Sequence, residues 1–154
     1  MRAGFKMGQY LTFQLRSELF GIPIGDVREI NQHGEVTPVP HAPESVKGVM
    51  NLRGKIIPVV NLRVKFGMEE QEITKESCII VIDTLSGQVG IVVDSVKEVI
   101  DLAAEQISET PGLTSTNTGN LVKGVGKLEQ HVVLLVDVKS AFVSDRLEEI
   151  QEAA

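Results

Sequence analysis

The chain has 154 residues, enough for one domain or for two very small ones that share a core. Its apolar fraction of 42% supports a buried core, while only 4% aromatics and no tryptophan argue against a sugar-stacking site or a single-strand nucleic-acid platform. With 15 basic and 21 acidic residues the net charge is −6, and no block of Lys and Arg appears, so nucleic acid is an unfavourable partner.

Met1–Met7 carries a basic residue but no apolar stretch after it and does not read as a signal peptide. Residues before Gln9 read as a loose tail, with Met7 as an alternative start. Tyr10–Leu15 and Phe20–Ile24 flank a turn at Arg16–Leu19 and predict a hairpin. Pro43–Lys47 predicts one helical turn after a proline start. Lys55–Val60 predicts a strand after a turn at Arg53-Gly54, and Pro58 inside it predicts an edge or a bulge, because proline has no N–H to donate. Ile79–Asp83 and Val89–Val93 predict a second hairpin around a glycine-containing loop. Val132–Val136 is the longest apolar run, a strand far too short to span a bilayer. A final helix is predicted after Ser144 or Asp145, with Leu147 and Ile150 on one face and Glu148, Glu149 and Glu152 solvated.

The chain also resembles itself. Gly21–Ile30 aligns without gaps to Gly90–Val99, an offset of 69, sharing Gly-Ile and then Val, a basic residue, Glu and an aliphatic residue. Val46-Lys47-Gly48-Val49, through Leu52 to Asn61-Leu62-Arg63, aligns to Val122-Lys123-Gly124-Val125, through Leu128 to Asp137-Val138-Lys139, an offset of 76. Two ordered matches point to a tandem duplication. The expected fold is all-β, with two small barrels side by side, since closing a sheet removes its edges. The halves span roughly residues 10–66 and 77–139 of a single unit over 9–150. A core of some 65 residues is marginal alone, so the halves should share a large interface, and exchange of strands between them is left open by the pattern.

Little in the chain suggests catalysis. His33, His41 and His131 form no metal-ligand spacing and Cys78 stands alone, so no zinc site is expected. No Gly-x-Ser-x-Gly elbow occurs, and the glycines at 119, 124 and 126 lack the context of a phosphate loop. Cys78, the one cysteine, heads an apolar run and reads as a buried thiol in a reducing, cytoplasmic compartment. A small hydrolase using Cys78 and a histidine is the alternative from another class. Asp26 and Asp94 lie one position out of register in the repeat and read as turn residues.

Residues Val46–Phe66 read VKGVMNLRGKIIPVVNLRVKF. The segment Gly48-Val49-Met50-Asn51-Leu52-Arg53-Gly54, followed by Ile56-Ile57-Pro58-Val59, closely resembles the CheW family of chemotaxis coupling proteins. Phe20–Ile24, Val27–Ile30, Pro38-Val39-Pro40 and the second-half Gly-Ile-Val-Val-Asp-x-Val agree with that family's layout, so the resemblance runs over Gln9–Phe142. It implies two SH3-like five-stranded barrels and a non-enzymatic, cofactor-free adaptor. Its partners would be the regulatory domain of the histidine kinase CheA and the cytoplasmic tips of membrane chemoreceptors. The adaptor would be a monomer alone, recruited to receptor arrays without inserting into the membrane. A coupling module of a non-chemotaxis two-component array is the nearest alternative.

The resemblance places Asn51, Leu52 and Arg53 at a contact surface. Arg53 is then a charged anchor for a partner; read without the family, it is an exposed turn arginine before Gly54. Val27, Arg28, Glu29 and Ile30 form a second patch, in which Val27 and Ile30 compete for the core. Lys97 and Glu98, with Lys123, form a third. Where the first half has Asn51-Leu52-Arg53-Gly54, the second has Lys127-Leu128-Glu129-Gln130, which suits one scaffold with two different surfaces.

Overall fold

The computed structural model describes residues 6–109, 121–139 and 141–142. Eleven strands carry the fold: β1 (Gly8–Leu15), β2 (Glu18–Pro23), β3 (Val27–Gln32), β4 (Val46–Leu52), β5 (Lys55–Asn61), β6 (Cys78–Thr84), β7 (Gly87–Val93), β8 (Ser95–Leu102), β9 (Ile107–Glu109), β10 (Val122–Lys127) and β11 (Val132–Val136). One short helix, α1 (Leu62–Lys65), follows β5. The fold is all-β and builds two SH3-like subdomains. The predicted C-terminal helix lies outside the described residues.

The strands form a six-stranded sheet, ordered β8-β1-β2-β11-β10-β9, and a five-stranded sheet, ordered β3-β6-β7-β5-β4. Each sheet therefore takes a hairpin from the other half of the chain. Hairpin β1–β2 sits between β8 and β11, and hairpin β6–β7 sits between β3 and β5. The two exchanges share one register. Gly21 faces Leu135 across the parallel β2–β11 seam, and Gly90 faces Val59 across the parallel β5–β7 seam. These pairs coincide under the sequence offsets, 90 − 69 = 21 and 59 + 76 = 135. The bulges coincide too: β4–β5 shifts between Val46 and Gly48, and β10–β11 between Val122 and Gly124. One sheet exceeds the expected five strands because Ile107–Glu109 pairs with β10, whereas the matching contact in the other sheet is the single bridge Thr37–Val49.

The exchange leaves one continuous core. Leu11, Phe13, Phe20 and Ile22 of the first hairpin and Ile80, Ile82, Val89 and Ile91 of the second belong to the same buried cluster, with Val60, Leu62 and Phe66. Each sheet has a satellite cluster as well, around Tyr10, Leu102, Val133 and Leu135 in one, and Val59, Ile79 and Val92 in the other. Side chains alternate across a pleated strand, so sheets buried on both faces read as near-continuous aliphatic runs.

Two local readings change. Pro43–Lys47 is a turn, closed by the Val46 amide donating to the Pro43 carbonyl at 2.9 Å, and β4 starts at once. Pro58 lies in a central strand instead of an edge. Its partner Val49 spends both its N–H and its C=O on Thr37, so Val49–Pro58 is a pair without ladder bonds between its members. The Pro58 nitrogen points to the β7 side, where pairing begins only at Val59. No donor is missed.

Gly48 explains one glycine of the motif. A Cβ there would lie 2.1 Å from the Thr37 carbonyl oxygen, and its φ is +152°. Gly48→Ala is expected to lower stability by about 2 kcal/mol, because the obstacle is backbone that must move. Thermal melts beside Gly54→Ala, where an added Cβ meets nothing within 4 Å, separate this clash from backbone strain alone.

Candidate partner-binding surface

The β4–β5 hairpin turns on two residues, Arg53 and Gly54, between the pair Leu52 and Lys55. Both have positive φ, 53° and 85°, the signature of a type I′ turn. The Asn51 side-chain oxygen accepts the Gly54 amide at 2.8 Å. Arg53 is thus a turn residue, yet its side chain is committed: the guanidinium pairs with the Glu29 carboxylate. The Asn31 side chain donates to the same carboxylate at 2.8 Å. Those hydrogen bonds, Arg53 first and Asn31 second, hold the Glu29 pKa below the ordinary carboxylate value.

Strands β3 and β4 are the two edges of the five-stranded sheet, so the Arg53–Glu29 pair bridges the gap across which the sheet curls. It joins two patches that are far apart in the chain. The Arg53 side chain remains 73% exposed and that of Glu29 24%. Around them Asn51 is exposed, Leu52 and Val27 are half-buried, and Ile30 is 43% exposed. Of the two aliphatics that competed for the core, Val27 packs against it and Ile30 faces outward. Arg28 sits at a bulge of β3 and pairs with Asp83 of β6 at 2.5 Å.

Lys97 and Glu98 lie on the other sheet, at the matching bulge of β8. Both are exposed and border a groove of about 440 Å³ with Thr12, Leu19 and Val96. The Thr12 hydroxyl donates to the Glu98 carbonyl at 2.6 Å and accepts the Glu98 amide at 3.0 Å, satisfying the bulged backbone. No hydrogen bond or ion pair among the described residues joins this patch to Arg53. Lys123 is exposed on β10 of the same sheet.

Asp26 and Asp94 belong to ion pairs at related places. Arg63 donates to both Asp94 oxygens, at 2.8 and 2.7 Å, and the Arg16 amide adds a third bond at 2.8 Å. Burial pushes the Asp94 pKa up, but the Arg63 and Arg16 bonds outweigh it and the net shift is downward. Lys139, which the repeat aligns with Arg63, lies 3.7 Å from Asp26. There burial dominates over Lys139 and the Asp26 pKa is raised.

Cys78 is half-buried instead of fully buried, and its thiol lies 3.5 Å from the Glu76 carbonyl oxygen. His131 is exposed at the turn before β11, in the other sheet. Among the described residues no hydrogen bond joins Cys78 to a histidine, no cluster of three or more His, Cys, Asp or Glu is arranged for a metal, and no helix is long and apolar enough to cross a membrane.

Two curved sheets share one core and carry charged, partly apolar rims. Residues 9–146 match the CheW-like domain. The chain is 37% identical to the chemotaxis protein CheW of Klebsiella aerogenes over 99% of its own length and 92% of that protein's. It is 34% identical to the chemotaxis protein CheW of Rhizobium meliloti, covering 91% and 90% of the two chains. The crystal structure of the scaffolding protein TtCheW from Thermoanaerobacter tengcongensis superposes with a TM-score of 0.82 at 34% identity, covering 89% of this chain and 93% of that one. The chain belongs to the CheW-like domain family and is a non-enzymatic scaffolding protein of chemotaxis.

Proposed function

We propose that this chain works in the cytoplasm, where it couples the tips of membrane chemoreceptors to the regulatory domain of the histidine kinase CheA and is recruited with them into receptor arrays. The observation that carries this reading is the Arg53–Glu29 pair, which brings the Asn51–Arg53 turn of β4–β5 against Glu29 and its partner Asn31 on β3, while Ile30 alternates to the other face of that strand. That rim sets an exposed arginine beside a carboxylate and a half-buried leucine, Leu52, a composition suited to a protein partner. Lys97 and Glu98 provide a second rim on the other sheet. At the turn matching Arg53-Gly54 the second half has Glu129-Gln130, so the two ends of the scaffold differ in charge and suit two different partners.

The mechanism is scaffolding. Once one partner is held, the second contact becomes intramolecular and its effective concentration rises. Receptor state reaches the kinase only if the contacts differ between states, because a binder indifferent to both shifts neither.

Titration against a CheA regulatory domain and, separately, a receptor-tip fragment tests the reading, with Arg53→Glu in parallel. The substitution sets a carboxylate against Glu29. We expect saturable binding to both partners by the unaltered chain and a loss of tenfold or more, at least ~1.4 kcal/mol, for one partner in the variant. Absence of binding to either partner, both shown competent, would sink the assignment.

A further inference from the structure

We infer that Asn51 is a positioning residue: it fixes the backbone of the Arg53-Gly54 turn and so aims Arg53 at Glu29. Three observations carry this. First, the turn needs a left-handed backbone at an arginine, φ 53°, which side chains other than glycine and asparagine seldom adopt. Something local must hold it there. Second, the Gly54 amide finds its acceptor in the Asn51 side chain, at 2.8 Å. Asn51 is an exposed residue, yet its oxygen is spent on the turn. Third, the second half supplies an internal comparison. The offset of 76 puts Lys127 where Asn51 stands and Glu129 where Arg53 stands. There the turn is closed by the Leu128 amide donating to the His131 carbonyl at 2.9 Å, and among the described residues no side chain accepts from it. The cap and the arginine occur together in one half and are both missing from the other.

The consequence is geometric. A two-residue turn has two central residues, and the direction of the first side chain follows from its φ. If Arg53 relaxes to negative φ, its Cβ swings and the guanidinium leaves the Glu29 carboxylate. Asn51 would then matter to partner binding without touching a partner. That last step rests on the reading that the Arg53–Glu29 rim is a docking surface; the positioning itself does not.

The experiment reads both levels in the full chain. The Glu29 side-chain carboxyl is titrated by NMR in the unaltered chain and in Asn51→Ala, Asn51→Asp, Gly54→Ala and Arg53→Gln. Arg53→Gln sets the upper limit, since it removes the cation that depresses Glu29. Asn51→Ala and Gly54→Ala should move the Glu29 midpoint upward toward that limit. Asn51→Asp keeps an acceptor for the Gly54 amide and should stay at the starting value. Loss of global stability alone does not shift the midpoint in the folded state, and Gly54→Ala decides the matter if Asn51→Ala fails to fold. Partner titrations of the same variants should show Asn51→Ala weakened about tenfold toward the partner that Arg53→Gln weakens, and Asn51→Asp unchanged. A Glu29 midpoint unmoved in Asn51→Ala, or in Gly54→Ala if the former is unfolded, would overturn the positioning role. A midpoint that moves while binding does not would uphold that role and overturn the docking reading.

Discussion

Phe20→Ala is expected to cost about 3–5 kcal/mol, a large share of the roughly 5–15 kcal/mol that holds a domain of this size together. Phe20 is 2% exposed and stacks on Phe13 at 5.9 Å between centroids and on Phe66 at 5.0 Å. Phe13 and Phe20 lie on the hairpin lodged in the six-stranded sheet, whereas Phe66 caps α1 beyond the end of β5 in the other. The ring therefore ties a hairpin to the half from which it was lent. Truncation leaves a cavity between two sheets, neither of which is free to collapse into it. Urea denaturation followed by far-UV circular dichroism should show one transition with a lowered midpoint. Leu85→Ala is the control: Leu85 is 72% exposed, and its loss should stay within about 0.5 kcal/mol. Two separated transitions in Phe20→Ala would show that the sheets unfold independently and that the core is less continuous than its packing indicates.

Arg63→Ala is expected to cost about 3 kcal/mol, at the lower end for a buried pair broken on one side, because both partners keep some solvent. The Arg63 and Asp94 side chains are 14% and 23% exposed, and the pair is bidentate. Removing the arginine leaves a half-buried carboxylate to which, among the described residues, the Arg16 amide alone still donates. The effect also has a pH signature. The Asp94 pKa is lowered on folding, so its contribution is fully present above the ordinary carboxylate value near pH 4 and is lost as pH falls through the lower folded value. In Arg63→Ala the folded pKa rises toward the unfolded one, and this part of the acid destabilisation fades. Urea midpoints at pH 7 and at pH 3 should therefore differ less in the variant than in the unaltered chain. Equal differences would show that the arginine does not set the Asp94 titration.

Comparing the halves of the chain reveals which segments are alike. It does not reveal which partner each segment pairs with, because Gly-Ile-Pro-Ile and Gly-Ile-Val-Val suit either sheet equally. Hairpin exchange was therefore compatible with the repeat without being legible in it. Six of the eleven strands were legible, since β-branched runs between turn residues have few other uses, whereas β3, β4, β8, β9 and β10 were not, because charged residues or glycines interrupt their aliphatics. Helix α1 escaped because four residues are too few for a periodic pattern, although Asn61, whose side chain accepts the Val64 amide at 3.3 Å, was a visible cap. Pro58 was misplaced because proline forbids one donor on one side of a strand, and that side faces β7 before its ladder starts. For the binding rim, Arg53 was visible through the motif and Glu29 through the repeat. Their contact spans 24 residues and depends on how far the sheet curls, a quantity that no local pattern encodes. The pairing of Arg63 with Asp94 was hidden for the same reason, since Asp26 and Asp94 differ by one position in the aligned repeat while their cationic partners align.

The lending of hairpins sets a timetable for biosynthesis. As the chain leaves the ribosome, β1 and β2 appear first, but their neighbours β8 and β11 run through Ser95–Leu102 and Val132–Val136. The five-stranded sheet likewise waits for β7, which ends at Val93. The five-stranded subdomain is not complete until Val93 has emerged, and the six-stranded one must wait for Val136. Aliphatic segments such as Tyr10–Leu15 thus lack their β8 neighbour until Leu102 has been made and stay open to aggregation until then. A fragment ending after Phe66 would carry the whole Asn51–Gly54 motif and yet lack β6 and β7, two of the three interior strands of the sheet that displays it.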